Sequence, residues 1–368
     1  MIDVTGLAQK AAWDANVLPP VERVRPGLWS IPVPIPNNPL RYVNVYTLEL
    51  DHGVAIVDAG WNHDEAWAAL LAGLAEIGGS ISDVQAVLVT HFHPDHYGLA
   101  GRVREASGAW IGLHPADAAM LEARHIDVDA VLAALCDLLT DSGVPDDKLP
   151  DVELAAGIMR GNAAMAKPDV MFEDGRVIEL PGWNLRTIWT PGHSPGHVCF
   201  HDDERRLLLS GDHILPRITP NVAVHSRRDT NPLGDFMASL LKVRDVDAEE
   251  VLPAHEYRFA GLDRRVDDLI AHHAERLDEI EALVIANPGV TAWDLTVQLT
   301  WSRPWDDIPD FMQRAANGET LAHVVVLENH DRVVARGSHP TRLYPGPAAR
   351  SGNGAGGGRA AHDPPQLA

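Results

Sequence analysis

Cysteine is nearly missing from this chain: Cys136 and Cys199 are the only two in 368 residues. One pair so far apart, in unrelated contexts, gives no disulfide framework. That excludes a small oxidised scaffold and makes a reducing compartment the expectation. Positive charge is scarce too. Against 52 Asp and Glu stand 30 Lys and Arg, a formal net charge of −22. Such a surface repels nucleic acid and anionic membranes unless a local basic patch intervenes. No apolar run approaches the roughly 18 residues of a membrane span. Residues 1–10 hold no basic segment leading into an apolar core, so no secretion signal is expected and the chain reads as cytoplasmic. What is present in quantity is ordinary globular material: 45% apolar residues, enough for a sizeable core in one large domain with an appendage.

The chemistry is concentrated after the apolar run of residues 84–89, where His91, His93, Asp95 and His96 stand together. Imidazole and carboxylate are the ligands that borderline cations such as Zn²⁺ prefer. A strand ending in that cluster reads as a metal site on a strand-to-loop edge. Further donors stand at separate points: His193 in T-P-G-H, Asp212 in S-G-D and His255 in P-A-H.

Together these residues resemble the metallo-β-lactamase superfamily. Its H-x-H-x-D-H motif matches His91, His93, Asp95 and His96, its later ligands fall in order on His193, Asp212 and His255, and its early Asp falls on Asp58 in I-V-D-A-G. The resemblance implies an α/β fold, a four-layer αββα sandwich, with a two-metal centre. His91, His93 and His193 would hold one ion, and Asp95, His96 and His255 the other, with Asp212 bridging them. Zinc is implied first; iron or manganese is also compatible, because affinity order alone does not settle identity. The family's diiron redox members carry Glu where His93 stands, which argues against that chemistry. Asp95 would orient the attacking water and take its proton, and Asp58 would fix a ligand imidazole from behind. His114, His197 and His213 read as structural. Trp61 reads as a cleft wall or a surface residue at a helix start, and Arg217 as a substrate-anion contact or a surface ion pair.

The organisation expected is a lead-in (1–20), a catalytic domain (21–262) with a helical insertion (116–171), a winged-helix-like domain (263–344) and a disordered, Gly/Ala/Pro-rich tail (345–368). Strands are expected over 42–50, 54–57, 110–113, 177–180, 185–189, 198–201 and 206–209, with helices over 65–77, 264–286 and 291–299. Alternate prolines at 32, 34 and 36 suggest an edge strand running into a loop. Residues 322–328 and 332–336 read as a terminal pair of strands. The insertion reads either as a body with its own small core or as a pocket wall using Met120, Met159 and Met165.

The function these features imply is metal-dependent hydrolysis of a small ester-type substrate, a thioester first, since the string from Thr190 to His197 resembles the glyoxalase II and lactonase branches. The alternatives are an endoribonuclease of the β-lactamase-like protein 2 type, suggested by the appendage and opposed by the charge, and lactonase or β-lactamase-like activity. A non-enzymatic binding protein is opposed by the complete ligand set. The partner expected is a small molecule rather than nucleic acid or membrane, and the appendage offers a surface for a homodimer.

Overall fold

The computed structural model describes residues 2–162, 166–224 and 230–349. The chain opens with β1 (Asp3–Val4) and α1 (Leu7–Ala15), then runs an antiparallel meander of β2 (Glu22–Arg25), β3 (Leu28–Pro34), β4 (Tyr42–Glu49) and β5 (Val54–Val57). Helix α2 (Asp64–Glu76) leads to β6 (Val84–Leu88), and α3 (Pro94–Tyr97) and α4 (Ala100–Ser107) lead to β7 (Trp110–Leu113). The pairs β5·β6 and β6·β7 are parallel, so each needs a crossover of this kind. Helices α5 (Pro115–Ile126), α6 (Val128–Asp141) and α7 (Val152–Asn162) form the insertion before β8 (Val170–Met171).

The second sheet follows: β9 (Val177–Leu180), β10 (Trp183–Trp189), β11 (Val198–Asp202) and β12 (Leu207–Gly211), then α8 (Pro232–Arg244), β13 (Glu250–Pro253) and β14 (Phe259–Ala260). The chain closes with α9 (Leu262–Ala286), α10 (Ala292–Gln298), α11 (Asp310–Asn329) and the hairpin of β15 (Val333–Arg336) and β16 (Arg342–Pro345). One sheet has the order β2-β3-β4-β5-β6-β7-β8 and the other β1-β14-β13-β12-β11-β10-β9. Two sheets packed between helices make the expected αββα sandwich.

Period-two alternation explains why the strands bury both faces. Tyr46, Leu48, Ala55, Val57, Ala86 and Leu88 point between the sheets, where they meet Leu185, Phe200, Leu209 and Leu252. The intervening Val43, Val45, Val54, Ile56 and Val87 point outward onto Leu70 and Leu74 of α2 and Val103 of α4. Phe172 is fully buried in the inter-sheet core, edge-on to Phe200 at 5.5 Å and to Trp110 at 6.3 Å. Gly112 lies against its ring, so a side chain there would collide with it. Phe172→Ala should therefore cost about 3–5 kcal/mol, read from urea unfolding. A loss under about 1 kcal/mol would mean that the two sheets can close over the space.

Two expectations need correcting. Strand β3 is not an edge strand, since β2 and β4 flank it; but β2 pairs only with Leu28, Trp29 and Ser30. Pro32 and Pro34 therefore fall past the end of β2, where no second neighbour needs their missing N–H. Residues 322–328 are not a strand but the last turns of α11. Their β-branched run mimics a strand, yet Ala322, His323, Val324, Val325, Val326 and Leu327 are all buried. A helix buried on every side has no polar stripe to betray its period. The closing hairpin is accordingly β15 with β16, one element later than expected.

The fold divides into two compact units. One comprises Met1–Leu132, Asp151–Asn221 and Ser239–Leu269; the other comprises Ala133–Pro150, Val222–Ala238 and the chain from Ile270 onward. Within the second unit Leu139 and Val144 of the insertion pack on Trp293 of α10, and Trp293 N–H bonds Ser142 O at 3.0 Å. Part of the insertion thus shares a core with the C-terminal helices instead of building its own. Met120, in α5, packs against the core of the first unit; the side chain of Met159 and the whole of Met165 lie outside the described residues, as does the tail beyond residue 349. Among the described residues no helix is long and apolar enough to cross a membrane.

Candidate metal centre

Topology brings the donors together. Strands β5 and β6 run parallel, β12 and β13 run parallel, and β10 is antiparallel to β11, which is antiparallel to β12. Within each sheet the donor-bearing strands, β5 and β6 in one and β10, β12 and β13 in the other, therefore point the same way. Asp58 follows β5, His91 to His96 follow β6, His193 follows β10, Asp212 follows β12 and His255 follows β13. Five strand ends deliver every candidate residue to one site.

The donors form two sets. In the first, His91 Nε2 is 2.9 Å from His93 Nδ1 and 3.2 Å from His193 Nε2. In the second, Asp95 Oδ2 is 3.4 Å from His255 Nε2 and 3.7 Å from His96 Nε2. Asp212 reaches both sets. Its Oδ1 lies 3.2 Å from His255 Nε2 and 3.5 Å from His96 Nε2, and its Oδ2 lies 3.4 Å from His193 Nε2. Three ligand atoms in each of the groups His91/His93/His193, His91/His96/Asp212 and Asp95/His96/His255 fall within 4.8 Å of one another. His91, His96 and His255 are fully buried, whereas His93 is half-buried and marks the open side.

The far sides of the His91, His96, His193 and His255 rings are occupied. His193 Nδ1–H donates to Asn221 O at 2.7 Å, and His255 Nδ1–H donates to Tyr42 O at 2.8 Å. His96 Nδ1–H donates to Asp58 Oδ2 at 2.8 Å. Thr90 links Asp58 to the other set: its hydroxyl sits 3.0 Å from Asp58 Oδ1 and 3.1 Å from His91 Nδ1. These bonds fix the tautomers and leave the Nε2 lone pairs facing inward. Asp58 itself adopts φ 62°, the left-handed region that Asp tolerates better than most residues.

A cation fits this donor set. His96 Nε2, His255 Nε2 and Asp212 Oδ1 are buried and find no hydrogen-bond partner in the protein, an arrangement that costs free energy unless something answers it. Convergent neutral imidazoles and carboxylates are the donor chemistry of a divalent ion. The carboxylates and the imidazoles of His96 and His255 favour one another's charged forms, and a divalent cation would take the place of those imidazole protons. Burial would push the Asp95 carboxyl up, but the charges of His96 and His255 outweigh it and bring it down to about 2. Burial likewise opposes ionisation of Asp212, and His255 and His96 hold its carboxyl well below the usual range. His255 is pushed up to about 10 against its burial by Asp212 and Asp95, while burial, then the neighbouring imidazoles, keeps His91 neutral.

The neighbouring candidates take structural places. His197 spends both nitrogens within the protein: Nδ1 lies 2.8 Å from Thr190 Oγ1, and Nε2 accepts from Asp212 N–H at 3.1 Å. It packs over Gly211, at φ 52°, where a Cβ would come within 2.6 Å of the ring. His114 caps α5 through Ala116 N–H at 3.2 Å and stacks on Trp189. His213 is buried beside His197. Arg217 pairs with Glu256 at 2.9 Å, and Trp61 packs on the core beneath the first sheet. The sequence reading missed Thr90, whose position directly before His91 was its only signal, and the carbonyls of Tyr42 and Asn221, which leave none.

Asp58→Ala should weaken metal uptake at both sets, by about 10–100-fold, because Asp58 holds His96 directly and His91 through Thr90. Chelator competition measures it. Unchanged affinity at both sets would remove Asp58 from the site.

Known proteins resemble this chain in sequence and in fold. The sequence profile described as the metallo-beta-lactamase superfamily matches residues 38–255. A crystal structure of a metallo-beta-lactamase family protein from Thermus thermophilus is similar with a TM-score of 0.74 and 33% identity, covering 88% of this chain and 100% of that one. A probable metallo-hydrolase of Bacillus subtilis is 23% identical over 80% of this chain and 90% of its own length. A beta-lactamase-like protein 2 homolog of Caenorhabditis elegans is 26% identical over 78% and 80%. A shorter match, 30% identical over 36% of this chain and 40% of its own, is to an atrochrysone carboxyl ACP thioesterase of Paecilomyces divaricatus.

Proposed function

The chain belongs to the metallo-β-lactamase superfamily, and from that premise we propose that it is a binuclear zinc hydrolase of small ester-type substrates, thioesters above all. The observation that carries the proposal is Asp212, whose two oxygens face the two donor sets separately. In this reading His91, His93 and His193 would hold one ion and Asp95, His96 and His255 the other, with Asp212 available to both. Bound there, the pair would supply Lewis acidity to the attacking water and to the carbonyl under attack. The side chains do the rest. Asp95, ionised and partly open to the cleft, orients the water and accepts its proton. Asp58 and Thr90 hold His96 and His91 in the tautomers that leave Nε2 free.

Three things favour a thioester. The loop from Thr190 to His197 resembles that of thioester- and lactone-opening branches of the family. One of the proteins this chain is similar to is named a thioesterase. A net charge of −22 suits small-molecule work and opposes RNA. The test is a panel of zinc-loaded protein against acyl thioesters, lactones, β-lactams and single-stranded RNA. Thioesters should turn over fastest and chelation should abolish the activity; cleavage of RNA with no turnover of small esters would replace this reading with the nuclease alternative.

A further inference from the structure

The first donor set is built from two loops more than ninety residues apart in sequence, and one buried carboxylate bonds both of them. Asp117, in the first turn of α5, is fully buried. Its Oδ2 accepts from Phe92 N–H at 3.0 Å and from Ser194 Oγ–H at 2.8 Å, and its Oδ1 accepts from Gly196 N–H at 2.6 Å. Phe92 lies between the ligands His91 and His93; Ser194 and Gly196 flank the turn after His193. We propose that Asp117 is a positioning residue for the first metal: a strut that sets the spacing of His193 against His91 and His93. The inference rests on the two-metal reading above and adds a residue to which the ligand motif gives no clue.

A second contact line runs beside the first. The His114 ring that caps α5 stacks on Trp189, with ring centres 5.1 Å apart and 8° between planes, and Trp189 Nε1–H donates to Pro195 O at 2.9 Å. The start of α5 therefore grips the His193 loop at Ser194, Pro195 and Gly196. The fit is close enough to dictate residue type. A Cβ on Gly196 would stand 2.5 Å from Asp117 N and 2.8 Å from its Cβ, so only glycine allows the loop to approach. A carboxylate suits the place because it accepts several hydrogen bonds at once and sits favourably in the first turn of a helix. Two of the three bonds end on the His193 loop, which carries only the first set, and the third ends at Phe92, between His91 and His93, so the effect of Asp117 should fall mainly on that set.

The test is titration of the metal-free protein with cobalt(II), following its visible absorption. His193→Ala and His255→Ala supply the reference spectra of each set alone. Asp117→Ala should weaken the first set at least tenfold and leave the second within about twofold, so that one equivalent of cobalt gives the His193→Ala spectrum. Gly196→Ala, which drives a methyl group into Asp117, should weaken the same set and serves if Asp117→Ala does not fold. Asp117→Asn, keeping one acceptor oxygen, should fall between. Leu185→Ala, in the inter-sheet core, should lower the melting temperature without favouring either set. Wild-type affinity at both sets in Asp117→Ala and Gly196→Ala, or equal weakening of both sets, overturns the strut. A wild-type protein that takes up no cobalt overturns the two-metal reading itself, and the strut with it.

Discussion

Asp95→Asn should lower kcat by about 10²–10⁴-fold while KM moves by no more than a few-fold. Asp95 is held ionised by His96 and His255 despite its burial, and its Oδ2 stands 3.4 Å from His255 Nε2. Asparagine keeps an oxygen for a cation but cannot accept a proton. A base that acts on the attacking water matters in the transition state and little in substrate binding, so the loss should fall on turnover. Steady-state kinetics run beside metal analysis read the result. Unchanged kcat at full metal content would take proton transfer away from Asp95.

Asp212→Ala should bring the metal content from about two ions per chain to about one or fewer, with activity lost. Asp212 is the carboxylate whose two oxygens divide between the sets. Its Oδ1 serves His96 and His255, its Oδ2 serves His193, and Oδ1 is otherwise without a partner. His193→Ala, by contrast, should spare the second set. If Asp212→Ala still held two ions as tightly as the wild type, the bridging place assigned to this residue would be wrong.

Much of this site could be read from the chain because its donors stand at strand ends, and strand ends are marked. An apolar run stops, and a His or Asp follows at once, as at Val89 before His91 or Ile56 and Val57 before Asp58. The two sheets were legible for the same reason, through strands such as Trp110–Leu113 and Val177–Leu180. Elements too short to show a period were not. β1 and β14 hold two residues each and exist because they pair with each other. The last turns of α11 were hidden by being buried all round, which removes the polar stripe that identifies a helix. Asp117 was beyond reach for a different reason. Its partners lie 25 and 77–79 residues away, and a lone Asp after a Pro at a helix start reads as an ordinary first-turn acid. Likewise, nothing in residues 133–150 announces that they share a core with Trp293.

The most direct measurement is elemental analysis of the purified protein paired with thioester hydrolysis before and after chelation. About two zinc ions per chain are expected, with turnover abolished when they are removed, restored when zinc is returned, and most of the fold retained throughout because the inter-sheet core is apolar. A protein that is fully active with no bound metal would contradict the two-metal hydrolase at its root.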